Sequence, residues 1–309
     1  LVLSHAEADS LAALGHSLAR FQQACDDIYR RSAAGTLPPW IADWLDRGKP
    51  EWLVSLQREK AMRGHAPRVI RPDLMVTQEG FAMSELDSVP GGIGVAAWMA
   101  RVYADAGYEV LGGADGMREG FRSLMPDGGT VLISQEAADY RPEMEWLVST
   151  LGDGWRVASA ESYQHDGSAL YRFFELFDWQ SVPSARRLAQ DAADGQLQIT
   201  PPFKPHFEEK LWLALLWSPA LKGVWDKSLR GIHLKRLREL VPFGWLVDPT
   251  PLPPHAALPR LDLHSWDEVA ALSQRDRQLV LKVSGFHETA WGSRGVFIGH
   301  DLPTAEWSA

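Results

Sequence analysis

Four charged residues on two neighbouring segments have the types and spacing to do chemistry. Arg71 and Asp73 are two apart in Val69 to Thr77, and Glu85 and Asp87 are two apart in Phe81 to Asp87. Side chains alternate faces along a strand, so each pair shares a face. The turn Gln78-Glu79-Gly80 predicts a hairpin that sets Asp73 roughly opposite Glu85. Like charges in direct opposition destabilise a sheet. Three gathered carboxylates therefore call for a cation; Arg71 supplies one charge, and a divalent metal would supply two. Magnesium takes oxygen ligands and commonly binds through one or two carboxylates together with substrate phosphates. The plainer reading of the same spacing is an exposed strand face with solvated carboxylates.

A second feature lies far along the chain. Leu279-Val280-Leu281-Lys282-Val283 is an apolar strand interrupted by one lysine. Burying an unpaired lysine is costly, so Lys282 is expected to face a cleft. Ser284-Gly285-Phe286 and Trp291-Gly292-Ser293-Arg294-Gly295 follow, and then a further apolar strand. A glycine-rich loop between strands can turn its amides toward phosphate oxygens. Lys282 would add a point charge and Arg294 a planar fork. This is not a Walker motif, because the lysine precedes the loop. The alternative is an ordinary long hairpin whose lysine reaches along its surface to solvent.

The elements that must bring these segments together read as mixed α/β (α+β). Residues 1–66 follow helical spacing at Leu11, Leu14, Leu18 and Phe21, and again at Trp40, Trp44 and Leu45. Gly91-Gly92-Ile93-Gly94 opens an amphipathic helix to about Ala106. Strands at Val131 to Ser134 and Arg156 to Ala160 flank a helix at Pro142 to Leu151, a small α/β unit. Tyr171 to Phe177 reads as a half-buried strand. Residues 206–240 read as helical with a break at Pro219. A Pro-rich loop, Asp248 to Pro254, precedes a helix near 265–275 and a strand at Gln278 to Val283.

Together, and in this order, the two charged regions resemble the circularly permuted ATP-grasp families, among them glutathionylspermidine synthase. In those families a strand with an Arg-x-Asp pattern precedes a strand carrying acidic or amide metal ligands. Arg71-Pro72-Asp73 and Glu85-Leu86-Asp87 match that pattern. Asp87 stands where the families often have Asn and keeps an oxygen for magnesium. Ser88-Val89-Pro90-Gly91-Gly92-Ile93-Gly94 resembles the small-residue turn after the ligands, where free amides at a helix start can hold a carboxylate or phosphate. Glu208-Glu209-Lys210-Leu211-Trp212 resembles the segment with the first nucleotide lysine. Lys282 with Gly292, Ser293, Arg294 and Gly295 resembles the second lysine and its phosphate loop. An unpermuted ATP-grasp has its lysines first and its metal ligands last, and here that order is reversed. The similarity spans about residues 67–100 and 200–300.

The resemblance implies a circularly permuted ATP-grasp with an inserted small α/β subdomain. Its divisions would be an N-terminal helical segment (1–66), the metal-binding half of the core (67–107), an inserted α/β substrate-side unit (108–200) and a nucleotide-binding lobe (201–309). It implies ATP- and Mg2+-dependent ligation of a small-molecule or peptide carboxylate to an amine through an acylphosphate. Asp73, Glu85 and Asp87 would hold magnesium. Lys210, Lys282 and the loop Gly292 to Gly295 would hold the nucleotide phosphates, and Arg71 would stabilise the transferring phosphoryl group. Arg141 in the inserted unit is a further substrate-side candidate. The families complete the nucleotide site with an adenine-contacting hinge after the glycine loop, whereas this sequence stops at Ala309. A fragment, or a reduced version that holds ATP weakly, is the expectation. The other function compatible with these residues is a non-catalytic nucleotide-sensing or protein-interaction module.

Composition narrows the field. The net charge of −9, without a long Lys/Arg block, argues against a general nucleic-acid binder. No apolar run approaches the roughly 20 residues of a membrane-spanning helix. Cys25 is the only cysteine, which excludes an internal disulfide and a cysteine-based zinc site and points to a reducing cytoplasm. The N-terminus has no signal-peptide pattern, and it opens on Leu1 in place of Met, as expected of a processed or incomplete chain. His206, His233, His255, His264, His287 and His300 lack metal-ligand spacing and read as surface or loop residues. His287 and Glu288 inside the glycine loop can reach a phosphate, although an ordinary loop role explains them as well. Gly112-Gly113-Ala114-Asp115-Gly116 reads as a plain turn, and no G-x-S-x-G elbow is present.

Overall fold

The computed structural model describes residues 2–250, 252–253 and 256–309, so His255 and part of the Pro-rich loop lie outside the described residues. Helices His5–Ala12, Leu14–Ala33, Trp40–Asp46 and Glu51–Arg58 open the chain. In the second of these, Leu14, Leu18, Phe21, Cys25 and Ile28 recur on one face, and all are buried. They pack against Trp212, Leu215, Trp225 and Leu237 from the helical pieces Leu211–Leu215, Lys222–Ser228 and Gly231–Leu240. Phe21 stacks on Trp225 at 5.6 Å between ring centres. The Trp225 indole is fully buried and satisfies its N–H on Leu215 O at 2.8 Å. This first hydrophobic cluster therefore joins residues before 46 to residues after 210, with Met83 of the hairpin between them.

Strands β1 (Arg71–Thr77) and β2 (Gly80–Asp87) form the antiparallel hairpin. Its register sets Asp73 opposite Glu85 and Arg71 opposite Asp87. Ser84 is the extra residue of a bulge between the Asp73 and Leu74 pairs, a device that bends a strand and re-aims its side chains.

The central α/β unit is a parallel sheet in the order β4-β3-β5-β6, built from β3 (Gly129–Ile133), β4 (Trp155–Ser159), β5 (Leu170–Phe173) and β6 (Ile199–Thr200). A parallel sheet is covered on both faces. Val131 and Ile133 pack with Tyr171, Phe173, Met144 and Leu147 on one side. Leu132 and Leu170 pack with Leu188 and Ala189 on the other. The half-buried strand expected at Tyr171 to Phe177 is thus corrected: β5 stops at Phe173 and is buried on both faces, Arg172 included. The helix Ile93–Asp105 buries Ile93, Gly94 and Ala97 but leaves Trp98, Val102 and Tyr103 exposed, so its outward face is apolar. A short hairpin of β7 (Val280–Lys282) and β8 (Val296–Ile298) follows. No helix among the described residues is long and apolar enough to cross a membrane.

His206 is the clearest departure from expectation, because it is buried. It stacks on Tyr29 at 4.6 Å and packs tilted against Phe207 at 4.2 Å. Its Nε2 lies 3.2 Å from Asp26 Oδ1, which also accepts from Lys204 Nζ at 2.6 Å. Burial works against the Asp26 carboxylate, but the His206 and Lys204 contacts outweigh it and hold the acid below its ordinary range. For His206, burial outweighs the Asp26 carboxylate and holds the imidazole down to about 4. Neutral His206 donates its Nε2–H, and its folded pKa lies below that of the unfolded chain. The folded state then binds fewer protons than the unfolded state between about pH 6.5 and 4. Stability is accordingly full above 6.5 and falls as pH drops through this window, by up to about 1.4 kcal/mol per pH unit from this group. Urea midpoints measured against pH will show the slope, and His206→Gln will flatten it.

Candidate functional site

Hairpin register and burial place the charges of β1 and β2 in one cleft, which holds about 900 Å³ of empty space continuous with bulk solvent. Arg71, Asp73, Glu85 and Asp87 line it together with Lys210, Gly285, Phe286, Trp291, Gly292 and Ser293. The Arg71 guanidinium lies 2.8 Å from Asp73 and 3.4 Å from Asp87, and also donates to Gly91 O. Burial pushes the Asp87 carboxyl up to about 6, against the pull of Arg71 and of the Val89 N–H.

Both expected lysines converge on Glu85. Lys210 Nζ, at the start of the helix Leu211–Leu215, lies 2.9 Å from Glu85 and donates to Ala290 O at 2.8 Å. Lys282 Nζ donates to Ser84 O at 2.8 Å and lies 3.9 Å from Glu85. The Ser84 bulge aims that carbonyl at the lysine. Burial pulls the Lys282 amine below its ordinary range. In this arrangement every carboxylate of the hairpin cluster already has a cation beside it.

The loop between β7 and β8 covers the cleft and is fastened at both ends. Ser284 Oγ donates to Glu209, whose carboxylate pairs with Lys49 in a buried contact. The Leu211 and Lys210 amides donate to Ser284 Oγ and O at 2.8 and 3.0 Å. A side chain at Gly285 would strike Glu208 O, so the close approach requires glycine. Trp291 packs edge-on against Tyr140 at 5.7 Å. Gly292 and Ser293 line the cleft. Arg294 and Gly295 do not. Arg294 is half exposed and pairs with Glu136, after β3, at 2.6 Å, and Gly295 closes the hairpin through Val283 N–H at 2.9 Å. The His287 ring accepts the Thr289 amide and serves as a local cap.

Two further expectations are revised. The amides at the helix start after Gly91 are not free, since Glu143 accepts from Gly92 N at 2.7 Å and from Val95 N at 2.9 Å. That internal carboxylate takes the place expected for a substrate anion. A side chain at Gly94 would strike Glu143 O, which fixes the approach of the two helices. Arg141 pairs with Glu145 one turn along its own helix at 3.6 Å, outside the cleft lining.

Three charged residues of the site went unrecognised in the sequence. Arg172 is fully buried and donates to Phe174 O, to Pro201 O at 3.2 Å, to Pro202 O at 3.3 Å and to Glu208 Oε1 at 2.6 Å. Glu208 Oε2 also accepts the Leu176 N–H at 2.8 Å. Glu208 and Glu175 both line the cleft. The signal was present in Leu170 to Leu176, where two charges three apart interrupt an apolar run and cannot share one face of a strand.

Comparison of the chain with known protein families, with curated proteins and with solved structures finds no match.

The donor chemistry bears on a metal. Among the described residues no three His, Cys, Asp or Glu side chains are arranged to hold an ion on their own. Asp73, Glu85 and Asp87 nevertheless offer carboxylate oxygens to a single cleft. That fits magnesium, which commonly needs one or two carboxylates when phosphate oxygens and waters complete its shell.

Proposed function

We propose that this chain is a circularly permuted ATP-grasp ligase that joins a carboxylate to an amine with ATP and Mg2+. The observation that carries this reading is the meeting of Lys210 and Lys282, from separate segments, on Glu85 beneath a loop whose Gly292 and Ser293 line the same cleft. Lys210 and Lys282 exchange part of their hold on Glu85 for nucleotide phosphate oxygens. Asp73, Glu85 and Asp87 are the residues that hold magnesium, which supplies neutralisation of phosphate charge. Arg71, already at the mouth of this cluster, stabilises charge on the phosphoryl group as it passes to the substrate carboxylate. The amine then attacks the acylphosphate, forming the C–N bond as phosphate leaves.

The test is a thermal-denaturation series with ATP and magnesium. A ligand that binds only the folded state adds about 2.7 kcal/mol at a hundredfold excess over Kd. The expected result is a melting temperature raised by several degrees with Mg2+ and ATP together, and by less with either alone. An unchanged melting temperature at millimolar Mg–ATP would overturn the reading.

A further inference from the structure

Pairing off the charges of the cleft leaves one acid over. Arg71 serves Asp73 and Asp87. Lys210 and Lys282 serve Glu85. Arg172 and the Leu176 amide occupy the two oxygens of Glu208. Glu175 lines the same cleft, yet among the described residues no cation lies within ion-pair distance of its carboxylate and no N–H donates to it; Arg172, which pairs with Glu208, acts on it only from farther off. Its polar neighbour is the Glu208 carboxylate, another acid. Burial first, and Glu208 second, push the Glu175 carboxyl well above its ordinary range. Glu175 is partly exposed to the cleft, and a carboxyl left in this state is stabilised by any positive group that can enter beside it.

A second feature of the cleft points to the same kind of ligand independently of charge. Phe177, two residues beyond Glu175, and Phe286 of the covering loop both line it, with Trp291 and Tyr140. Aromatic faces attract cations, and the attraction strengthens where water is excluded. An acid without a partner beside aromatic walls is a receptor for an organic ammonium. It is a poor site for an anion or a neutral alcohol.

We propose that Glu175, with Phe177 and Phe286, binds the amine co-substrate of this cleft as its ammonium cation. Naming that cation the co-substrate rests on the ligase reading, whereas the cation site itself does not.

Isothermal titration of the whole chain with n-butylamine at neutral pH, where it is a cation, and with n-butanol as a neutral mimic tests this. Each titration is run with and without magnesium and a non-hydrolysable ATP analogue. The wild-type chain is expected to bind the ammonium and to bind the alcohol far more weakly. Glu175→Gln, which keeps the shape and removes the charge, is expected to weaken ammonium binding about 10- to 100-fold. The same variant should leave the nucleotide affinity unchanged. Glu175→Asp, which keeps the charge, should recover part of the loss. Equal ammonium binding by wild type and Glu175→Gln would overturn the proposal. So would absence of ammonium binding in a wild-type chain that binds the nucleotide, and in both cases the ligase reading stands. Loss of magnesium–nucleotide binding in Glu175→Gln would also overturn it, by making Glu175 a metal ligand. Glu175-dependent ammonium binding without any nucleotide binding would keep the cation site and remove the ligase reading.

Discussion

Lys282→Ala will lower ATP affinity whether or not magnesium is present, whereas Glu85→Ala will remove the magnesium-dependent part of binding. The two residues sit 3.9 Å apart, yet their expected signatures differ. Without the Lys282 ammonium the cleft loses a charge that would face phosphate on the ligase reading, and Lys210 is left alone with Glu85. Without the Glu85 carboxylate the two lysines have no shared counterion, so metal-free nucleotide retains its attraction to them. Removing one electrostatic contact of this kind typically costs about 10²–10³ in rate, or about 3–4 kcal/mol. Titration of each variant with ATP, with and without magnesium, separates the two. Binding unchanged in both variants would defeat the assignment of the lysine and the acid alike.

The largest stability effect is expected at Arg172. Its side chain is 1% exposed and its Glu208 partner 4%, so neither charge can turn to water. Arg172→Met would leave the Glu208 carboxylate buried without a cation and would also free the carbonyls of Phe174, Pro201 and Pro202. Breaking a buried pair by removing one partner costs about 3–5 kcal/mol, a large share of the roughly 5–15 kcal/mol that holds a typical protein folded. Urea denaturation should show a midpoint lowered accordingly. Adding Glu208→Gln to Arg172→Met should restore part of the loss, because the stranded charge is then gone. A double variant less stable than either single one would contradict this account.

What the sequence disclosed follows from the range of the interactions. The hairpin was legible because its turn pins the register, and a fixed register decides which charges face each other. Lys282 was legible as the one charge interrupting an apolar strand, and Lys210 through the resemblance of its segment. The partners of those charges were not. Lys49 with Glu209, Arg172 with Glu208, and Glu143 with the amides of Gly92 and Val95 each join segments far apart in the chain. No local spacing encodes them. His206 was misplaced for the same reason, since its burial comes from Tyr29 and Asp26, both in the helix Leu14–Ala33. Arg294 was read as a phosphate contact because glycine neighbours imply freedom, whereas its reach toward Glu136 depends on where the parallel-sheet unit sits.

The first hydrophobic cluster has a consequence for biosynthesis. The apolar face of Leu14–Ala33 is made early, but Trp212, Trp225 and Leu237, which cover it, are made much later. A ribosome releasing this chain exposes Leu18, Phe21 and Ile28 while the whole parallel-sheet unit is still being translated. Pairings so distant in sequence slow folding and leave nascent chains open to aggregation. Holdase chaperones acting on the emerging N-terminal helices should therefore raise the yield of native protein more than any stabilisation of the hairpin or the covering loop.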